Sequence, residues 1–398
     1  MAESTATAAM VDPAAERTAR TTVTVDLDII AANARAARAL VAPAEVMAVV
    51  KADAYGHGAA EVARAVSAAG VPAVAVAFVE EGLRLRESLP DREIVVLTEP
   101  LPGEEAEAIR ARLTLTVYTW DGVGRVGRAA TGAARPAAVH LKIDTGMHRL
   151  GVAPEDTAEA VARIDAAGLR LEAIWTHLAT ADDPSDDFAA VQLRRLHTAR
   201  GSLAEKVRSD VRVHAANSAA ALRLPSARFD AVRVGALLYG IRPGAALPVG
   251  DRFRPAMRWT TTVVQTRLLG QDERLSYGLT YRLDRPSTVA VIPVGFADGL
   301  PRLLSNRGQV LIRGRRFPIA GAVGMSHAVI DCGDTDVRPG EQVTLLGSDN
   351  AEEVSAEELA SRCGRTVYEL VTGIAPGIPR RYRRASSQPP GSPPGDCL

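Results

Sequence analysis

"MAVVKADAYGHG", Met47 to Gly58, starts with a run of four apolar residues and then turns abruptly polar at Lys51. A short apolar run closed by turn residues reads as a strand buried on both faces. The stretch over 58–69 that follows has helical period, so the two together make one βα step. The same step recurs along the chain. Apolar, β-branched runs return at 72–78, 93–98, 113–118, 137–143, 170–176, 210–214 and 231–235, and stretches such as 103–112, 154–167 and 188–207 have helical period. Counting 45–50, there are eight alternations, which predicts an α/β fold of the (β/α)8 TIM-barrel type.

Near residue 250 the pattern changes. "TTVVQTRLL", "STVAVIPVG", "QVLIRG", "FPIAGAVG", "HAVIDC" and "EQVTLLG" are short strand-like runs separated by Gly-, Pro- and Asp-rich turns, with little helix between them. A C-terminal all-β domain is therefore expected, bordered by the Pro- and Gly-rich "IRPGAALPVGD" at 241–251. The expected organisation is a tail over 1–20, the barrel over 21–250, the β domain over 251–384 and a second tail over 385–398. Both tails are small, polar or Pro-rich, a composition that predicts disorder.

Composition narrows the function classes. In 398 residues, 47% are hydrophobic and 24% charged, and 47 basic side chains balance 47 acidic ones. That balance offers no general attraction to nucleic acid or an anionic membrane. No apolar stretch approaches the roughly 18 residues of a membrane span. Cys332, Cys363 and Cys397 are too far apart to form a metal cluster or disulfide framework, so no metal is expected and a reducing cytoplasm is. The first twenty residues lack the apolar core of a secretory signal, although their Arg and Ala content leaves organelle targeting as an alternative.

The chemistry-bearing residues fall at strand ends. Lys51 follows the first strand and Arg149 the fifth; His177 follows the sixth, Asn217-Ser218 the seventh, and Arg233 and Gly235 close the eighth. Taken singly, each has an ordinary explanation: a solvated lysine, a structural histidine, a helix N-cap, an ion-paired arginine. Together they would ring the C-terminal mouth of the barrel, where such folds carry their active sites. Ser218, backbone N–H groups near Gly235 and Ala236, and a tyrosine hydroxyl would form an anion cradle without a Walker lysine. A phosphate cradle beside a strand-end lysine suggests pyridoxal phosphate held as a Schiff base. Burial explains why a strand should end on lysine: a desolvated amine gives up its proton and can condense with an aldehyde.

"AVVKADAYGHG" resembles the pyridoxal-phosphate signature of the alanine racemases. The likeness continues through "HLKIDTGMHRLG", "WTHLATAD", "HAANSAA", "VRVGALLYGIRP", "LSYGLTY" and "IPVGFADGLPR", in order over about 22–383. It implies a homodimer acting on a small amino acid, with each active site shared between one barrel and the partner's β domain. By the same resemblance, Lys51 is the Schiff-base lysine and one catalytic base, and Tyr277 reaches in from the other subunit as the second. Tyr55, Ser218, Gly235 and Ala236 match phosphate contacts, with Asn217 beside them. Arg233 matches the arginine at the ring nitrogen, where its pKa above ~12 would leave that nitrogen unprotonated. His177 matches the histidine beneath the ring. Arg149 and Met325 match substrate-carboxylate contacts, and Lys142 a position carbamylated in some members. Two bases suit racemisation, because a proton leaves one face of Cα and another arrives on the opposite face.

"GAVGMSHAVID", residues 321–331, departs from the family. Ala322, Gly324, Ser326 and His327 stand where Arg, Cys, Asp and Gln are usual, Pro376 replaces a phosphate-contacting tyrosine, and Phe296 stands where tyrosine is common. These changes raise the alternative of a racemase for another small amino acid, serine-like or from specialised metabolism. Three rivals come from other classes. "GVGRVG", Gly122 to Gly127, fits the dinucleotide fingerprint, with Asp144 near the ribose-binding spacing, and would indicate an NAD-binding oxidoreductase. A non-catalytic pyridoxal-phosphate carrier would not need the β domain. A decarboxylase on a related barrel would need a cysteine acid, for which Cys332, read as a strand residue, is the nearest candidate.

Overall fold

The computed structural model describes residues 19–384, so the tail segments 1–18 and 385–398, with Cys397, lie outside the described residues. The chain divides into two compact units. One comprises Val25–Ala256 and 382–384; the other comprises 19–24 and Met257–Arg381. The division thus falls a few residues beyond the Pro- and Gly-rich segment. Residues 21–24, expected in the barrel, group with the β strands, because β1 (Thr21–Asp26) hydrogen-bonds into their large sheet.

In the first unit, β2 (Glu45–Val49), β3 (Ala73–Val76), β4 (Glu93–Val96), β5 (Thr114–Val117), β6 (Ala138–Lys142), β7 (Arg170–Trp175), β8 (Arg212–His214) and β9 (Ala231–Val234) form a closed parallel barrel. The β2–β9 seam places Met47 opposite Arg233. Small and β-branched residues fill the interior: Met47, Val49, Ala73, Ala75 and Val95 form one buried cluster, with Tyr55 and Leu97 packed on it. Helices cover the outside, beginning with Leu27–Val41, whose N-cap Asp26 accepts from the backbone N–H groups of Asp28 and Ile29. The expected helix over 188–207 is two, Phe188–Gly201 and Glu205–Asp210.

The "GVGRVG" glycines lie inside the helix Trp120–Gly132, which is capped by Thr119 accepting from Gly122 N at 2.9 Å. Gly122 is small because the Glu99 carboxylate sits there: a Cβ would fall 2.1 Å from Glu99 Cδ. A Cβ on Gly127 would fall 2.9 Å from the Ala167 Cβ. These glycines serve helix packing rather than a phosphate turn, which removes the basis of the oxidoreductase alternative.

The second unit holds a seven-stranded sheet in the order β16–β15–β18–β10–β1–β20, with β19 paired to β18. Its members are β10 (Met257–Thr262), β15 (Gln309–Ile312), β16 (Arg315–Pro318), β18 (Gln342–Asp349), β19 (Glu352–Val354) and β20 (Arg380–Arg383), besides β1. A three-stranded sheet joins β11 (Gln265–Leu269), β14 (Ser287–Ile292) and β17 (Ala328–Asp331), and β12 (Arg274–Leu275) pairs with β13 (Tyr281–Arg282). Two short helices, Ala356–Cys363 and Val367–Thr372, depart from the all-β expectation. Ser355 and Thr366 cap them through their side-chain oxygens. Cys332 lies just past β17, buried, with its N–H donated to Thr288 O at 2.8 Å.

Candidate active site

Lys51 begins a single turn, Lys51–Gly56, in which Ala52, Asp53, Ala54 and Tyr55 all have φ between 52° and 55°. This is a left-handed helical turn without glycine at those four positions, a conformation costing roughly 1–2 kcal/mol per residue. Hydrogen bonds hold it. Ala52 N donates to Glu81 Oε1 at 2.7 Å, Ala59 N donates to Asp53 Oδ1 at 2.7 Å, and Ala54 N donates to Val50 O at 2.9 Å. Glu81 also accepts from Ala77 N through its second oxygen at 2.7 Å, which ties the turn to the start of the helix Val79–Arg86.

The turn carries the Tyr55 hydroxyl to the end of β9. A Cβ built on Gly235 would lie 2.6 Å from that oxygen, so only glycine leaves the hydroxyl its place. Gly235 N donates to Ser218 Oγ at 3.0 Å. Asn217 caps the helix Ser218–Arg223 by accepting from Ala220 N at 2.9 Å, which fixes Ser218 in the first turn. Two hydroxyls and the Gly235 amide thus converge at the start of the short helical segment Ala236–Tyr239. This polar, donor-rich notch suits a phosphate.

Arg233 is buried, 3% exposed, and forms no ion pair among the described residues. Its charge is spread over neutral acceptors. One terminal nitrogen donates to His214 Nδ1 at 2.7 Å and His214 O at 3.2 Å. The other donates to Thr176 O at 2.8 Å, Ala215 O at 2.9 Å and His177 Nδ1 at 3.1 Å. Its guanidinium also lies over the Trp175 ring, 4.7 Å from the centroid. Burial lowers Arg233 to about 9, below the sequence expectation yet still a cation at neutral pH.

Burial, then the charges of Arg149 and Arg233, lower the Lys51 amine from its ordinary value, while Glu81 opposes the shift. Lys142, at the end of β6, falls to about 8, mainly by burial and then by Arg233 and Arg149; it sits 4.4 Å over the Trp175 ring. His177 is held well below its usual value by burial and by Arg233, so it is a neutral acceptor at pH 7. Arg149 stands exposed after β6 and acts on both lysines through its charge. The barrel unit therefore brings Lys51, Tyr55, Arg149, His177, Asn217, Ser218, Arg233, Gly235 and Ala236 to its C-terminal rim. Glu81, His214 and Trp175 belong with them; Trp175 and His214 open the "WTHLATAD" and "HAANSAA" stretches without a role having been read for them, and Glu81 lies in none of the quoted motifs.

The β-strand unit holds the remaining candidates. Tyr277 is 75% exposed on a turn opened by Ser276, whose hydroxyl donates to Ala322 O at 2.7 Å. A Cβ on Gly324 would stand 3.6 Å from the Tyr277 ring. Phe296 N and Ala297 N donate to Gly324 O and Met325 O at 2.9 and 3.0 Å, and Ala375 N donates to Asp298 O at 3.1 Å. Tyr277, Phe296, Met325 and the loop before Pro376 are thus neighbours within one unit, and the first three side chains are exposed.

The alanine racemase N-terminal domain family model matches residues 25–243, and the C-terminal domain model matches 256–382. The chain is 40% identical over 365 residues to the alanine racemase of Symbiobacterium thermophilum, covering 90% of this chain and 96% of that one. It is 40% identical over 367 residues to the alanine racemase of Thermobifida fusca, covering 91% and 97%. The structure of the Streptomyces coelicolor alanine racemase superposes with a TM-score of 0.85 at 35% identity, over 92% of this chain and 99% of that one. The Bartonella henselae alanine racemase, solved with covalently bound pyridoxal phosphate, superposes with a TM-score of 0.83 at 28% identity, over 92% and 100%. These relatives favour alanine over the other-substrate alternative raised by residues 321–331 and Pro376. No helix among the described residues is long and apolar enough to cross a membrane. The chain belongs to the alanine racemase family, and it is an isomerase that interconverts L- and D-alanine.

Proposed function

We propose that this chain works in the cytoplasm as a homodimer, with pyridoxal phosphate tethered to Lys51 and Tyr277 of the partner subunit facing it as the second base. The observation that carries the reading is the rim itself, where a desolvated amine, a polar notch of Tyr55, Ser218 and Gly235 and an arginine without a counter-ion among the described residues occur together. The residues fit the cofactor. Tyr55, Ser218 and the Gly235 and Ala236 amides would hold its phosphate, and Arg233 would face its ring nitrogen. When bound, pyridoxal phosphate supplies a conjugated electron sink that acidifies the substrate's α-proton.

The chain's own groups do the rest. Lys51 Nζ, whose pKa is lowered by burial and by Arg149 and Arg233, accepts or returns the α-proton on one face. The Tyr277 hydroxyl does so on the other. Arg233 is a donor that retains its proton, so it would orient the ring nitrogen without protonating it and would limit electron withdrawal by the ring. Arg149 and the Met325 backbone bind the substrate carboxylate. The exposed Tyr277, Met325, Leu279 and Phe296 side chains support burial against a second copy. Cys332 and Cys363, both buried and unbonded, support a reducing compartment.

The sequence contains three lysines, Lys51, Lys142 and Lys206. Borohydride reduction of the pyridoxal-phosphate-loaded protein, followed by peptide mapping, should therefore label Lys51 alone. Label on Lys142 or Lys206, or none, would refute the assignment.

A further inference from the structure

Beyond His214 the hydrogen-bond line that begins at Arg233 does not stop. His214 Nε2 lies 3.2 Å from His140 Nδ1, and His140 is fully buried on β6 inside the barrel. His140 Nε2 has no hydrogen-bond partner and stands 3.8 Å from Glu93 Oε1. Arg212 neutralises that end, 3.1 Å from Glu93 and 3.9 Å from Glu172. Glu93, His140 and Glu172 offer ligand atoms within 4.8 Å of one another, but the Arg212 guanidinium already supplies the positive charge there.

We infer that His140 is a positioning residue: by accepting from His214 it locks that ring in the tautomer whose Nδ1 lone pair receives Arg233. The geometry leaves one proton arrangement. A guanidinium only donates, so His214 Nδ1 must accept. A neutral His214 then carries its proton on Nε2 and donates it to His140 Nδ1. His140 in turn carries its proton on Nε2, facing Glu93. If His214 took the other tautomer, two donors would meet at 2.7 Å. The Trp175 ring, stacked on His214 at 5.4 Å with 13° between planes, fixes the ring's plane but cannot choose its tautomer. Arg233 selects it from one side of the ring, and His140, accepting at Nδ1, holds it from the other.

The test uses the full-length protein carrying ring-15N histidine, at pH 7 without cofactor, each ring being assigned by substitution. His140 and His214 should both appear as neutral Nε2–H tautomers. An Nδ1–H tautomer or an imidazolium at either ring overturns the inference, whether or not any variant folds. In His140→Leu, the His214 Nε2–H loses its acceptor while Arg233 still faces Nδ1, so the Nε2 15N and 1H signals should move to those of an N–H without a hydrogen bond. In the loaded enzyme, kcat should fall about 3–10-fold, the worth of one buried hydrogen bond, with KM changed less than about twofold. His140→Asn, whose Oδ1 can accept where Nδ1 did, should recover kcat to within about twofold. An unchanged His214 signal in His140→Leu, or His140→Asn no better than His140→Leu, also overturns it. The kinetic consequence rests on Arg233 serving the ring nitrogen as proposed above. The tautomers are read without cofactor or substrate, so the two can fail separately.

Discussion

Of the four cationic side chains at the barrel rim, three are drawn inward from solvent with little negative charge to meet them. Arg233 has neutral acceptors, Lys142 has the face of Trp175, and Lys51 has Glu81 as the opposing charge. Lys142 bears a measurable cost. Below pH 8 the amine is protonated in both folded and unfolded chains, so the full penalty of a buried charge weighs on the fold. Between about 8 and 10.5 the unfolded chain holds the proton while the folded one releases it, so the penalty fades and stability rises with pH. Lys142→Met should therefore stabilise the cofactor-free protein at pH 7 by on the order of 1–2 kcal/mol, after allowing for the lost ring contact. The gain should shrink by pH 10 in denaturant titrations. Equal destabilisation at both pH values would refute this account. At this scale the sequence was informative where motif and strand end coincided, as at Lys51, Ser218 and Arg233. It assigned no role to Glu81, nor to His214 and Trp175 although these two open quoted motifs, because only the closed barrel brings their side chains to the same place.

The left-handed turn shows how one element depends on distant groups. Nothing in Ala-Asp-Ala-Tyr forecasts four consecutive positive φ values; the strain is offset by Glu81, which tertiary structure brings to Ala52 N, and by Asp53 of the turn itself, which accepts from Ala59 N. Glu81→Gln weakens a charge-assisted acceptor and should lower stability by about 1–3 kcal/mol. It also removes an anion that favours the Lys51 ammonium, so the Lys51 pKa falls further. The acid limb of the kcat profile, which reports the substrate complex, should move to lower pH; a limb that moved upward would contradict the electrostatic role. Gly235→Ala should push the Tyr55 hydroxyl aside and raise the dissociation constant of pyridoxal phosphate by about tenfold, measured by absorbance titration. Unchanged binding would show that this notch does not hold the phosphate. The helices Ala356–Cys363 and Val367–Thr372 escaped the sequence reading because each is under three turns long. Their caps, Ser355-x-x-Glu358 and Thr366-x-x-Glu369, were the available signal.

For the molecule as a whole, the eight barrel strands were legible because each is buried on both faces and so reads as an apolar run. The position of β1 was not. Its pairing with strands more than two hundred residues away leaves no trace in local pattern. The distribution of functional groups is the larger consequence: amine, phosphate notch and arginine lie in one unit, while Tyr277 lies in the other. Lys51→Ala and Tyr277→Phe should each cost about 10²–10⁴-fold in racemisation, the usual worth of a positioned acid–base group.

Mixing those two inactive variants, after reversible dissociation, tests the shared site directly. Half of the reassembled dimers are hybrids, and each hybrid pairs an intact Lys51 with an intact Tyr277 at one of its two sites. Alanine racemisation should therefore return to about a quarter of the wild-type rate. If the mixture stays as inactive as its parents while hybrid dimers demonstrably form, the lysine and the tyrosine do not meet across two chains.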